Sequence, residues 1–486
     1  MSFAVTTERD PDAAKLVCDI VVDSFGHDSG TVCTALIQNG QRTLRELIRD
    51  TGLRPSRCQH ALLVLIQHNC VLPQQLQRNP RDLDNHNDDG GEVSYEIQMG
   101  HVLHRLRYPR FLLHVRECMS ETHVILLEGL LEHGRLRSHQ LFARATASPD
   151  YAEQEKSAVP LDKVFSQLVE GRFVERVPVG YVSQHSEDAA GVTALLSDDA
   201  LWRVNADEFN RRFRHIACAA LVREKVDEAA GHLLSTMLEI TRTRETKVNE
   251  ERSTAVSEAD ILQKLCDSDT HIDTERIKRV LGKLAADTSE LISNVGDNHG
   301  GANYCVNMRR IVDLIRIKEV EAVVRERFGG PACRIFRLLL LKRNLEQKQI
   351  AEMAMIPVKD TRELLYKLLK AEYVQIQEVA RTSDHAPSRT FYLWRVDLLH
   401  VVEQVGHELY RTTSNLRARL IHELSQERET LMLLERAQDK IARGGESTVA
   451  LTSGQRLNLV RMRTIATRLE SSLLRLDELV LIFNVM

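Results

Sequence analysis

The stretch IFRLLLLKRNLEQKQIAEMAMIPVKDTRELLYKLLKAEYVQIQEVARTSDHAPSRTFYLWR, which spans Ile335–Arg395, decides the fold class of this chain of 486 residues. Its apolar residues recur at helical spacing in three successive segments and then alternate with polar residues in two shorter ones. We therefore predict three helices and two strands, at Ile335–Lys342, Glu346–Met353, Pro357–Glu372, Tyr373–Glu378 and Thr390–Trp394. Three helices followed by a two-stranded hairpin form the winged-helix variant of the helix-turn-helix, which docks on nucleic acid or on proteins and is seldom catalytic.

The second and third of these helices carry start signals. Asn344 precedes the second helix, and Gln347 follows it three residues later, which predicts a capping arrangement. Pro357 opens the third helix, where its missing N–H group would have no helical partner in any case. The local sequence thus predicts where these helices begin.

The end of the third helix carries an apolar pattern that occurs in three other parts of the chain. The pattern consists of Leu365, Leu368, Leu369 and Tyr373-Val374. Similar residues occur at Leu62, Leu65, Ile66 and Cys70-Val71, at Phe165, Leu168, Val169 and Phe173-Val174, and, stretched by two residues, at Leu281, Leu284, Ala285 and Leu291-Ile292. The copies lie about one small domain apart, which is too far for a solenoid repeat. The pattern predicts four copies of one module; the competing interpretation is an all-helical protein whose leucines are periodic by chance.

Further signals support the upstream copies. Thr43-Leu-Arg-Glu46 and Ser257-Glu-Ala-Asp260 have the residue types that begin a helix. Return strands are predicted at Val93–Gln98, Leu201–Val204 and Tyr304–Asn307. We therefore predict four winged-helix domains, at residues 1–115, 116–205, 206–308 and 309–397.

The C-terminal part of the chain has a different pattern. Apolar residues from Leu398 to Leu434 and from Leu459 to Val480 are spaced as in a heptad repeat, and the glycine-containing stretch Ala442–Gly454 separates the two runs. From Val396 onwards 12 basic residues balance 12 acidic ones, which indicates a solvated or protein-docking surface. We predict an antiparallel coiled-coil hairpin over residues 398–486, so the expected fold class is mainly α with small β-wings.

Composition limits the classes of function. The net charge is -4, so the whole chain is no general polyanion binder and any nucleic-acid contact must come from local patches. The nine cysteines include no CxxC pair, which indicates reduced core residues and neither a disulfide framework nor a zinc site. No signal peptide is visible, and no apolar stretch reaches the length of a membrane span, so no membrane partner is expected.

Motifs of catalysis and cofactor binding are also missing from the sequence. It contains no Walker loop, GxGxxG, HExxH or GxSxG motif, so we expect no enzyme activity, no catalytic residues and no cofactor. His101 and His104 would share a helical face, but a metal site needs at least a third ligand and none is evident. We expect no metal site.

Basic residues in the opening stretch are candidates for nucleic-acid binding. Between Pro331 and Arg395 there are 12 lysines or arginines and 7 acidic residues, a balance that favours phosphate contacts. The candidates are Lys359, Arg362, Lys367 and Lys370 on the third helix, and Arg381 and Arg389 beside the hairpin tip. The alternative is a solvated helix face, because Glu363 and Glu372 are interspersed among these cations.

Two other basic clusters suit either nucleic acid or an acidic protein surface. They are Arg105-Leu-Arg-Tyr-Pro-Arg110, just beyond the return strand of the first copy, and Arg211-Arg-Phe-Arg-His215, on a predicted helix.

Six motifs carry a resemblance to a known family: Arg325-Glu-Arg-Phe-Gly329, Cys333-Arg-Ile-Phe-Arg-Leu338, Glu346-Gln-Lys-Gln349, Met355-Ile-Pro357, Asp384-His-Ala-Pro-Ser-Arg-Thr-Phe-Tyr-Leu393 and Leu106-Arg-Tyr-Pro-Arg-Phe111. They resemble the tandem winged-helix subunits found in the initiation heterotrimer of eukaryotic RNA polymerase III. The resemblance is dense near the opening stretch and keeps the same order over nearly the full chain.

The resemblance implies tandem extended winged helices followed by a coiled coil. It also implies a non-catalytic, polymerase III-specific subunit in the nucleus, where small untranslated RNA genes are transcribed. The expected partners are a winged-helix and an acidic subunit in a heterotrimer, the clamp of the largest subunit, the initiation factor, and DNA, including single-stranded DNA. The expected role is promoter-directed initiation, through recruitment of that factor and opening of DNA.

Two other classes of protein compete with this interpretation. One is a helical scaffold subunit of a large complex, similar to those of the proteasome lid, which also ends in a winged helix and a long helix. Such a chain would have helical hairpins and no strands before residue 300. The other is a stand-alone DNA-binding regulator, which the near-neutral charge disfavours.

Overall fold

Helices make up most of the chain, and strands occur in four small antiparallel sheets. The computed structural model describes residues 10–75, 93–147, 160–177, 200–245, 247–267, 274–298, 301–380, 390–433 and 452–484. The helices are α1 Pro11–Phe25, α2 His27–Asn39, α3 Leu44–Thr51, α4 Pro55–Gln67, α5 Met99–Leu103, α6 Tyr108–Cys118, α7 Glu121–His133, α8 Ser138–Ala147, α9 Leu161–Glu170, α10 Ala206–Lys225, α11 Glu228–Arg242, α12 Glu258–Asp267, α13 Thr274–Ala286, α14 Met308–Phe328, α15 Gly330–Lys342, α16 Gln347–Ala354, α17 Val358–Lys370, α18 Leu398–Gln426 and α19 Ser453–Asn484. The strands are β1 Arg42–Thr43, β2 Val71–Gln75, β3 Val93–Ile97, β4 Leu136–Arg137, β5 Val174–Arg176, β6 Leu201–Val204, β7 Val256–Ser257, β8 Ile292–Asn298, β9 Gly301–Val306, β10 Gln375–Ala380 and β11 Thr390–Arg395.

The mainly helical fold class with small β-sheets is confirmed. The expectation of the scaffold alternative, a chain without strands before residue 300, is wrong, because three of the four sheets begin before that residue. Of the helices given above, none has both the length and the apolar composition needed to cross a membrane.

The strand order is the same in the first three sheets. They are ordered β1-β3-β2, β4-β6-β5 and β7-β9-β8, with the return strand in the middle and every pairing antiparallel. In the fourth sheet β11 pairs with β10 on one side and forms a bridge to Leu345 through Trp394 on the other. In all four, a short extended segment precedes a helix and is tied to a strand that follows much later in the chain.

The junction between helix and sheet is built in the same way at three of these places. Asn69, Arg172 and Glu372 each follow the helix with a left-handed backbone, at φ values of 59°, 59° and 64°. The next residue donates its N–H to a carbonyl five positions earlier, as from Tyr373 to Leu368, and the left-handed residue donates to a carbonyl three positions earlier. This pair of bonds is a Schellman motif, which satisfies the last helical carbonyls and turns the chain into a strand.

The repeated apolar residues lie in the cores of these segments. At the first, second and fourth sheets the residues before and after the turn are at most 4% exposed: Leu62, Leu65, Cys70, Val71, Phe165, Leu168, Phe173, Val174, Leu365, Leu368, Tyr373 and Val374. At the third sheet the turn is longer, Glu290 has the left-handed backbone, and Leu281, Leu284, Leu291 and Ile292 are buried. The burial pattern is shared because the turn fixes which side of the helix faces the following strand.

Helix starts agree with the sequence in two places and differ in one. Thr43 and Glu46 form the predicted capping box, and Ser257 Oγ accepts the N–H of Asp260 at 3.1 Å. The predicted cap at Asn344 is wrong, because Glu346 caps α16 and its N–H donates to the side chain of Gln349 at 3.1 Å. Leu345, directly before the cap residue Glu346, is bridged to Trp394 and so belongs to the sheet. The helix therefore begins later than predicted.

Tertiary contacts divide the chain into two compact units. The N-terminal unit comprises Thr6–Phe209 and Tyr410–Glu478, and the C-terminal unit includes Asn210–Leu409 and Leu479–Met486. In the C-terminal unit, Arg316 of α14 donates from its guanidinium to the carbonyls of Ile482 and Phe483 at 3.0 and 3.3 Å. These bonds satisfy carbonyls at the last turn of α19.

The two long helices α18 and α19 cover most of the segment predicted as a coiled-coil hairpin. Val402, Val405, Leu409, Leu459 and Met462 are buried as the heptad spacing requires. Ser414 of α18 donates to Asp19 of α1 at 3.0 Å, and Asp477 of α19 accepts from Arg107 at 2.9 Å. The pairing of α18 with α19 as a coiled coil stays a prediction.

Replacing Glu372 by glycine should stabilise the C-terminal unit, because glycine adopts a positive φ without the steric cost of a side chain. Glu372→Ala is the matched control: it removes the same carboxylate, with its 3.4 Å contact to His400, but keeps Cβ. In urea unfolding the glycine variant should exceed the alanine variant by roughly 0.5–1 kcal/mol in the free energy of unfolding. Equal values would mean that the left-handed backbone carries no cost at this turn.

Candidate nucleic-acid interface

Helix α17 carries four of the predicted site residues on its outer side. Thr361, Leu365 and Leu368 are fully buried and hold the helix against the segment's core. Because the helix repeats every 3.6 residues, the positions between them point outward. The outward positions include Lys359, Arg362, Lys367 and Lys370, all of which are exposed.

Three of these four cations are available for a partner. Lys367 pairs with Glu363 at 2.7 Å, and the ammonium group holds the pKa of that carboxyl below its usual value. For Lys359, Arg362 and Lys370 no ion pair is found among the described residues. Arg381 and Arg389 lie outside the described residues, so they stay predictions.

Exposed apolar residues lie on the same segment, which sequence reasoning missed. Met355 is 86% exposed, Tyr366 is 56% exposed and Val358 is 51% exposed. The ring of Tyr366 meets that of Trp394 edge-on at 5.8 Å, which places it at the junction of α17 and the sheet. Cations beside exposed aromatic rings can contact phosphates and stack on bases, and the same residues can contact a protein. Their exposure could have been predicted from helical spacing, because Tyr366 and Val358 fall outside the buried stripe of Leu365 and Leu368.

The basic cluster Arg105–Arg110 contacts this chain's own residues. Arg107 and Asp477 are each 1% exposed, and Nε of Arg107 donates to Oδ1 and Oδ2 of the carboxylate at 2.9 and 3.0 Å. Arg110 pairs with Glu478 at 3.3 Å, and the guanidinium of Arg105 lies over the ring of Phe25 at 4.6 Å. The cluster therefore holds α19 against the N-terminal unit, and the hypothesis of a nucleic-acid or protein surface is wrong for Arg107.

The cluster Arg211–His215 is also directed inward. Arg211, Arg214 and His215 surround the fully buried carboxylate of Glu245, at 3.4, 3.3 and 3.1 Å. Arg214 also donates to the carbonyl of Glu250 at 3.4 Å. The three side chains fix the turn after α11 and are not presented to a partner.

Three histidines line a small cavity of about 30 Å³ in the N-terminal unit, space for about one water molecule. Burial lowers the pKa of His68 to about 4, and Arg105 and His133 add to this effect. Burial also lowers the pKa values of His101 and His104, the second of them strongly. Within the described ranges no group of three or more histidine, cysteine or acidic side chains is arranged to hold a metal ion.

Three family models match separate parts of the chain. Residues 320–396 match the model described as "POLR3C, C-terminal winged-helix domain". Residues 180–315 match "RNA polymerase III subunit RPC82", and residues 15–72 match the helix-turn-helix domain of that subunit. The matches at residues 15–72 and 320–396 identify winged-helix domains among the helices and small sheets of the chain.

Curated relatives match the chain over nearly its whole length. A protein named DNA-directed RNA polymerase III subunit RPC3 from Danio rerio is 29% identical over 96% of this chain and 97% of its own length. The protein of that name from Homo sapiens is 28% identical over 97% of each chain. The one from Dictyostelium discoideum is 32% identical over 48% of this chain and 36% of its own.

Single replacements of Arg107 or Asp477 by leucine should destabilise the N-terminal unit by about 3–5 kcal/mol, because each removes the ion-pair partner of a buried charge. The double replacement should recover most of this loss, since it removes both charges at once. Chemical unfolding followed by circular dichroism measures all three variants. A double variant as unstable as the two losses added together would contradict the assignment of a coupled pair.

The N-terminal unit should lose stability as the pH falls from about 6.5, the value for a free histidine, towards the pKa of about 4 of His68. In this window the unfolded chain binds protons that the folded chain excludes, so acid favours unfolding. Urea midpoints at several pH values should show a weaker pH dependence for His68→Gln than for the exposed control His60→Gln. Parallel curves for both variants would refute a contribution from His68.

Proposed function

Because the chain belongs to the family of the RNA polymerase III subunit RPC82, we propose that it is a non-catalytic subunit specific to this polymerase and acts in transcription in the nucleus. The observation that carries this proposal is the match along nearly the full length of both chains. Two proteins that share a single domain match over one segment only. A match that keeps the same order from end to end supports the same role in the same complex.

We further propose the finer architecture: four tandem extended winged-helix modules, at residues 1–115, 116–205, 206–308 and 309–397, followed by a coiled-coil hairpin. The shared strand order and the repeated left-handed turn at Asn69, Arg172 and Glu372 support four copies of one module. Such modules each offer a helix and a wing for docking.

The proposed role is support of promoter-directed initiation within a heterotrimer that contains a winged-helix partner and an acidic partner. This trimer would dock beside the clamp of the largest subunit, recruit the initiation factor and help to open DNA. The nearly balanced charge of the whole chain and the exposed apolar residues around α17 both suit docking to other proteins, as expected of an accessory subunit.

DNA contact in this proposal falls to Lys359, Arg362 and Lys370 of α17. They are exposed, carry no ion pair in the part of the chain that the structure describes, and stand near the exposed ring of Tyr366. Lys367 contributes less, because Glu363 already neutralises it. The geometry favours backbone contacts and stacking over reading of base edges.

Affinity purification of the tagged chain from nuclear extract tests the polymerase assignment. The large subunits of RNA polymerase III should be recovered with it, and their absence would refute the proposal.

For DNA contact, Lys359→Gln/Arg362→Gln/Lys370→Gln should weaken DNA binding by the assembled complex and reduce the slope of log affinity against log salt by about two to three. The control Lys342→Gln/Arg343→Gln/Lys348→Gln removes the same charge from exposed residues outside α17 and should change binding less. Equal losses would place the contact elsewhere.

A further inference from the structure

An arginine-lined groove crosses the N-terminal unit, far along the chain from α17. Its volume is about 690 Å³. The lining residues are Gln67, Arg135, Leu136, Arg137, Gln140, Ala143, Arg144 and Leu201. Three of these eight are arginines and none is acidic, so the groove carries concentrated positive charge.

The wall of the groove is fixed by close packing between the end of α4 and the turn after α7. Gly134 has a φ of +78°, and a Cβ atom there would lie 2.2 Å from the carbonyl oxygen of Gln67. The side chain of Gln67 donates to the carbonyls of His133 and Arg135 on the other side of this contact. Only glycine permits this approach, so the turn that leads to the arginines is held in place.

The charges in the groove are incompletely neutralised. Nε of the half-buried Arg135 donates to Oδ1 of Asn69 at 2.7 Å, and burial and the charge of Arg203 both lower the pKa of Arg135. Arg144 is exposed and contacts His133. Across the described ranges no ion pair with a carboxylate is found for Arg135 or Arg144.

We propose that this groove binds the phosphodiester backbone of a nucleic acid. Guanidinium groups bind phosphates through paired N–H donors, and the described lining residues include no carboxylate that would repel a phosphate. An acidic peptide is disfavoured, because peptides dock through large apolar anchors and Leu201, at 40%, is the one large apolar side chain that is exposed among the lining residues. The site is formed by Arg135, α8, β4, Leu201 of β6 and the last residue of α4, and it contains no residue of α17, so it is independent of the role proposed for α17.

A charge inserted at Ala143 tests the groove without removing a structural side chain. Ala143 is exposed, lines the groove and lies on α8, where glutamate and glutamine are both good helix formers. Fluorescence anisotropy of labelled 20-mer duplex and single-stranded oligonucleotides would be measured with the full chain. Ala143→Glu should weaken binding about fivefold, the effect of one like charge at about 4 Å in water. Ala143→Gln, of the same size but neutral, should leave binding within about twofold of the wild type, the scale of an ordinary surface substitution.

A second variant, Arg144→Gln, should lower the slope of log affinity against log salt by about one. Equal binding by Ala143→Glu and Ala143→Gln, with matching thermal melts, would overturn the proposal. Binding of polyglutamate would be measured in the same way. If Ala143→Glu weakened binding of polyglutamate but not of the oligonucleotides, the occupant would be an acidic peptide and the proposal would also be overturned. The test is separate from the polymerase assignment, since it uses the isolated chain and the α17 variants as an internal reference.

Discussion

The buried pair of Arg107 and Asp477 is the interaction on which the N-terminal unit depends. Removing both charges from water costs several kcal/mol per ion, and the two hydrogen bonds to one carboxylate offset this cost only at the right geometry. If α19 slid by a single turn, both hydrogen bonds would break and the two buried charges would be separated. The pair therefore fixes the position of the last helix along the N-terminal unit, which apolar contacts alone would leave free to shift.

Local chemistry made much of the fold predictable. The capping box at Thr43, the return strand Leu201–Val204 and the burial of Leu365 and Leu368 all depend on residues a few positions apart, so they are visible in the sequence. The left-handed turns were not predicted, because Arg172 and Glu372 are not residue types that favour a positive φ. There the tertiary requirement of a strand directly after the helix overrides the local preference.

The candidate sites show the same division. Helical spacing was enough to place Lys359, Arg362, Lys367 and Lys370 on an exposed face. It could not show that Arg107 has its partner 370 residues away, or that Arg214 faces Glu245. A basic cluster read in isolation looks like a binding surface, whereas its function depends on whether the fold supplies acidic partners. The groove at Arg135 is the opposite case: Arg135, Arg137 and Arg144 form no continuous basic run in the sequence, and β4 and α8 bring them to one groove.

The distance along the chain between Arg107 and Asp477 also affects how the protein is made. At a synthesis rate of about 5–20 residues per second, a ribosome needs roughly 20 to 70 seconds to pass from one to the other. During that time Arg107 has no carboxylate to bury against, and the apolar surface that α19 will cover stays open to other molecules. The N-terminal unit can therefore be completed only after α19 has left the ribosome, and apolar surface that is exposed until then is prone to aggregation.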